Sequence, residues 1–140
     1  MKKWITIFML FFAVAINAQS LHDVKYIQVK RQYDFQDAPN QNRLSSMLKY
    51  HFEKLGYSVY YLEDGIPDEV RNSSCKQLKC EVERSGKMTV TELTVSLKDC
   101  TGNVVASGTG SSRLKDRKKT YPEVLTHIFD NTAIGKIQKK

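Results

Sequence analysis

Residues 78–98, LKCEVERSGKMTVTELTVSLK, decide how this chain folds. From Leu78 to Arg84 the pattern alternates, with Leu78, Cys80 and Val82 on one side and Lys79, Glu81 and Glu83 on the other. Period two is the mark of a half-buried strand. Ser85-Gly86-Lys87 reads as a tight turn. Met88 to Lys98 resumes the strand pattern with Leu93, Val95 and Leu97 inward. Thr101-Gly102-Asn103 then turns the chain into a further strand over about 104–111. Three consecutive strands joined by short turns form an antiparallel meander.

Upstream, Val24 to Lys30 (VKYIQVK) is rich in β-branched and aromatic residues and predicts a first strand. Asp37-Ala38-Pro39 opens a helix that runs to about Leu55. Its stripe is Leu44, Leu48, Phe52 and Leu55, flanked by Met47 and His51, and Gly56 stands where a left-handed cap belongs. Tyr57 to Glu63 (YSVYYLE) is the second strand, and strand–helix–strand at this spacing implies a right-handed parallel crossover. Pro67 to Asn72 fits a short helical turn. Downstream, Thr120-Tyr121-Pro122-Glu123 fits a capping box for a last helix striped by Tyr121, Val124, Leu125, Ile128 and Phe129. The order β-α-β-β-β-α predicts an α/β two-layer sandwich, a mixed five-stranded sheet with both helices on one face.

The N-terminus places Met1-Lys2-Lys3 before a 13-residue apolar run, Trp4 to Ile16, and then Asn17-Ala18-Gln19. A short basic region, an apolar stretch and a small residue make a secretory signal, read here as residues 1–18 with the cut after Ala18. The run is shorter than the roughly 20 apolar residues of a membrane span. A buried N-terminal helix is the alternative. Residue 19 is Gln, not Cys, so the expected product is not lipid-anchored. The remainder, 19–140, is expected to be one α/β domain, periplasmic or secreted, with no further span. Losing Lys2 and Lys3 leaves 20 basic residues against 15 acidic, a net of +5. That charge permits attraction to anionic polymers or lipids but is no nucleic-acid footprint.

An exported chain can keep disulfides. With Gly86-Lys87 as the turn, Cys80 faces Leu93 and points inward, while Cys75 falls opposite Lys98. Cys75 and Cys100 then share the outward face two residues out of register, and a single bulge would join them. A Cys75–Cys100 bridge and a buried, free Cys80 are therefore expected. Zinc is the sharper alternative, but no paired CxxC or neighbouring His supports it, and no cofactor is expected.

His51 borders the first helix's apolar stripe, where packing is the expected role. His127 falls on a polar side, and His22 lies in the N-terminal arm. No GxSxG, HExxH or P-loop is present. Gly108-Thr109-Gly110 followed by Arg113, Lys115, Arg117 and Lys118 is the candidate binding segment, since glycine-freed amides and cations can cradle an anion. A strand end running into a solvated charged loop is the alternative. Asn72-Ser73-Ser74 matches the glycosylation acceptor pattern, which means little in a bacterial host.

Asn17-Ala18-Gln19, the Cys75 lead into a strand, Leu97-Lys98-Asp99-Cys100 before a Gly-Asn turn, and Gly110-Ser111-Ser112 with Lys115-Asp116 and Lys118-Lys119 form a recurring set. The set resembles small uncharacterised exported proteins of Bacteroidetes-type bacteria, to which no catalytic residues are assigned. In element order alone, the chain is also similar to the N-terminal domain of TolB and to LpoB-like envelope adaptors. Together these readings imply an exported, non-enzymatic domain that binds an envelope protein or an anionic polymer. An enzyme with a cleft invisible in sequence, such as a hydrolase, and a structural piece of an envelope assembly are the alternatives.

Overall fold

The computed structural model describes residues 24–86, 89–113 and 117–137, without the side chains of Arg117 and Lys118. The signal reading over 1–18, Gln19, His22, Lys87, Met88, Lys115 and Lys139–Lys140 lie outside the described residues.

Five strands form one mixed sheet: β1 (Tyr26–Val29), β2 (Ser58–Tyr61), β3 (Gln77–Ser85), β4 (Thr91–Lys98) and β5 (Val104–Ser112). Their spatial order is β2-β1-β3-β4-β5. β1 pairs in parallel with both β2 and β3, and the rest of the sheet is antiparallel. Flanked on both sides, β1 carries Ile27 and Val29 with no exposed surface. Helices α1 (Leu44–Lys54) and α3 (Arg117–Asn131) lie side by side on one face, and α2 (Asp68–Asn72) is the short turn expected after Pro67. The architecture is the α+β two-layer sandwich that the element order predicts.

α1 begins at Leu44, not near Pro39. Asn40, Asn42 and Arg43 all take positive φ, which a helix cannot pass through. The helix start is capped from a distance: the Asn40 Oδ1 accepts the Ser46 backbone N–H at 3.0 Å. Leu44, Leu48 and Phe52 then bury completely at intervals of four. At the far end Gly56, at φ 101°, gives its N–H to the Glu53 carbonyl, and Tyr57 gives its own to Phe52. That bond pair is the Schellman arrangement, as Gly56 foretold.

The capping box at Thr120 is not used. α3 is already helical at Arg117, Thr120 is buried in its first turn, and Pro122 lies inside the helix. Glu123, the residue that would close the box, instead accepts a hydrogen bond from the Ser112 hydroxyl at 3.1 Å. The expected stripe, Tyr121, Val124, Leu125, Ile128 and Phe129, is buried throughout. Beyond α3, a 3₁₀ turn at Ala133–Lys136 carries Ile134 into the core, and Ile137 follows it.

The meander is real, but its register differs from the tight-turn expectation. Cys80 pairs with Leu97, not Leu93, and Arg84 pairs with Leu93. The connection is longer because Gly86, at φ 117°, folds closely against the Val90 carbonyl. The slip is four residues, an even number, so every inward side chain stays inward. Leu78, Cys80, Val82, Leu93, Val95 and Leu97 all join the core.

Candidate functional site

Alternation divides the sheet into two unlike faces. One meets α1 and α3. The other carries Lys79, Glu81, Glu83, Glu92, Thr94, Ser96, Lys98, Ser107, Thr109 and Ser111, all exposed or half-buried. Hydroxyls bond across the strands there, Thr94 to Thr109 at 3.0 Å and Ser96 to Ser107 at 3.3 Å. Over β3, β4 and most of β5 this face is polar, and the Tyr26–Tyr60 ring pair continues it on β1 and β2.

At one end of it lies a cavity of about 470 Å³. Gln77, Lys79 and Glu81 of β3 and Lys98 of β4 form its floor, and residues 99–102 with Ser74 form its rim. The rim is tied down by a disulfide between Cys75 and Cys100, with Cα atoms 4.8 Å apart. The bridge is the expected one. The bulge expected to align it is replaced by a 3₁₀ turn at Ser74–Lys76, which shortens the path before β3.

Asp99 organises the rim. Its Oδ1 accepts the Thr101 hydroxyl at 2.7 Å, the Thr101 N–H at 2.9 Å and the Asn103 N–H at 3.0 Å. These bonds, the Thr101 hydroxyl foremost, hold the Asp99 carboxyl below its ordinary range. The floor is ordered by a polar relay. Gln28 Nε2 donates to the Tyr60 hydroxyl at 2.9 Å, and that hydroxyl donates to Gln77 Oε1. Gln77 is only 6% exposed, and with its Oε1 occupied by Tyr60 its amide nitrogen remains as a donor.

A second polar cluster closes the C-terminal ends of β1 and β2. The Arg31 guanidinium pairs with Asp64 at 2.5 Å and lies over the Tyr61 ring, 4.4 Å from its centroid. The Arg31 N–H bonds Glu63. These contacts fasten the loop before α1 to the sheet.

The expected glycine and basic segment divides between several places. Gly108 and Gly110 face inward from β5 and are buried. A Cβ on Gly108 would run into Thr132, and one on Gly110 would lie 2.9 Å from the Val124 carbonyl and from Ile128. Their smallness lets α3 approach the sheet. Arg113 follows β5 at the end of the sheet away from the cavity, and Arg117 and Lys118 open α3. The nine residues of β5 separate the two basic regions.

Cys80 is free and fully buried, and burial pushes its thiol up to about 12. With Cys75 and Cys100 bonded to each other, the thiols do not assemble a metal site. His51 stacks on Phe129 at 4.4 Å between centroids, and His127 Nδ1 bonds Asn131. Neither lines the cavity. The cavity itself was not anticipated. Its signals were the shared outward parity of Lys79 and Lys98 and the Asp99-x-Thr101 turn.

No family model matches the chain, and no curated protein matches it in sequence. Among solved structures, it is similar to two dodecamers of PelC from Paraburkholderia phytofirmans. One, a point variant, is 16% identical over 87% of this chain and 94% of that one, with a TM-score of 0.46. The other is 15% identical over 88% and 93%, with a TM-score of 0.41. No described helix is long and apolar enough to cross a membrane.

Proposed function

We propose that the chain is a non-enzymatic binding domain of the cell envelope, exported by residues 1–18, that captures a protein or an anionic polymer on the uncovered face of its sheet. The observation that carries this reading is the division of the sheet. Helices cover one face, and the other presents a largely polar surface over β3, β4 and β5 that ends in a cavity. A structural disulfide suits an oxidising compartment and supports export. The groups around the cavity are amides, hydroxyls, ammoniums and carboxylates, which can hydrogen-bond and ion-pair with a ligand. The basic segment Arg113, Lys115, Arg117 and Lys118, which follows β5 in sequence, supplies a second basic contact for the partner.

The test is photo-crosslinking in the native host. A photoreactive residue at Ser96 or Thr109 gives a discrete adduct on this reading, and one at Glu53 on α1 gives none. Adducts only from position 53 would move the binding surface to the helices. Serine at Arg113, Lys115, Arg117 and Lys118 together reduces the adduct yield and leaves the fold intact.

A further inference from the structure

We propose that the cavity beside Cys100 binds an oxyanion, the carboxylate or phosphate group of the partner, between the ammonium groups of Lys79 and Lys98. The proposal rests on the reading of the uncovered face as the binding surface and names the chemistry recognised there.

Lys79 and Lys98 are direct cross-strand partners, and both line the cavity. Like charges placed directly opposite on one face of an antiparallel pair destabilise it. Such a pair is usually relieved by a neighbouring carboxylate. Two carboxylates line this cavity, Glu81 and Asp99, and neither is in ion-pair contact with Lys79 or Lys98. Glu81 pairs with Lys30 at 3.9 Å. Asp99 spends its Oδ1 on Thr101 and Asn103 within the rim. Neither lysine has an ion pair among the described residues. The two cations therefore share the floor of a cavity large enough for a small charged group, with no carboxylate in ion-pair contact with either.

Gln77 supplies a neutral donor beside them. It sits two residues before Lys79 on the same face of β3, and the Tyr60 hydroxyl occupies its Oε1. That contact occupies the amide's acceptor and leaves its N–H groups as donors on a residue that lines the cavity. Two ammoniums and one amide are a donor set for an oxyanion with several acceptor lone pairs. The covalent tie at Cys100 and the Asp99 turn hold the rim before any ligand arrives, which lowers the ordering cost of binding.

The test is a titration of the exported, oxidised protein with inorganic phosphate and, separately, with glucuronate, followed by amide and lysine side-chain shifts. The expected result is saturable shifts at Gln77, Lys79, Lys98 and residues 99–102 with at least one probe. Response to phosphate alone identifies a phosphorylated partner, and response to glucuronate alone identifies a carboxylate-bearing one. Lys79→Gln and Lys98→Gln each weaken binding at least about tenfold, the loss of one charge-assisted hydrogen bond. Their thermal midpoints hold or rise, because the repulsion is relieved. A purely structural lysine would lower the midpoint instead. The proposal is overturned if neither probe saturates, or if both variants bind as the parent does. Crosslinking at Ser96 that survives either negative result leaves the reading of the face standing; its loss as well removes both.

Discussion

Cys75, just before β3, is bonded to Cys100, just after β4, so the Ser74 side of the cavity's rim is covalently attached to its 99–102 side. The bridge closes a loop of 25 residues that contains the whole β3–β4 hairpin. In the chain-entropy view such a closure is worth about 3 kcal/mol. Cys75→Ser with Cys100→Ser should lower the thermal midpoint by roughly 10 °C for a domain of this size. Thiol counting in denaturant should find one group without reductant and three with it. Three without reductant would contradict the bridge.

His51 lies against Phe129, and burial holds its imidazole below its ordinary value of 6.5, with Lys54 adding to the effect and Asp130 opposing it. The unfolded chain therefore binds this proton more readily than the folded one. The stabilising contribution is complete above about pH 6.5 and is lost as the pH falls through the lower folded value. Chemical denaturation at pH 7.5 and pH 5 should show a decline that His51→Phe reduces. Asp99 titrates at lower pH and stays out of that window. An unchanged decline in His51→Phe would assign it elsewhere.

Gly110→Ala places a methyl group 2.9 Å from the Val124 carbonyl and Ile128. Backbone cannot give way there as a flexible side chain would. The expected cost is about 1–3 kcal/mol, the range for overpacking a filled core. If Gly110 served a ligand and not packing, the variant would keep its urea midpoint and lose only binding.

Asn40→Gly removes the side chain that receives the Ser46 N–H while tolerating the positive φ at that position. A loss of only about a few tenths of a kcal/mol in urea denaturation is expected, the usual cost of replacing such a cap by glycine. Asn40→Ala should cost more, since alanine also resists the left-handed backbone.

Much of the architecture was readable because burial alternates or recurs strictly. Leu78, Cys80 and Val82 announced their face, as did Tyr121 to Phe129 on α3. Parity also carried the disulfide through a register error of four residues, because an even slip leaves both cysteines outward. What escaped depended on contacts between distant parts of the chain. Nothing local marks Asn40 as the cap of a helix that starts four residues later. In sequence Gly108 and Gly110 read as an anion cradle or as a strand end before a charged loop, and only the positions of Thr132 and Val124 show that their role is packing. The cavity needed the true register, since only that sets Lys79 opposite Lys98. Ile134 and Ile137 lack a long periodic context, and their burial follows from the turn after α3.

The central claim is that the uncovered sheet face, with the cavity at its end, is where the partner binds. The most direct measurement is an amide-shift map of the protein titrated with a soluble polygalacturonate of defined length. Saturable shifts are expected at Lys79, Ser96, residues 98–102, Ser107 and Thr109, abolished by Lys79→Gln with Lys98→Gln. Shifts confined to residues 117–131 of α3, unaffected by those substitutions, would contradict it.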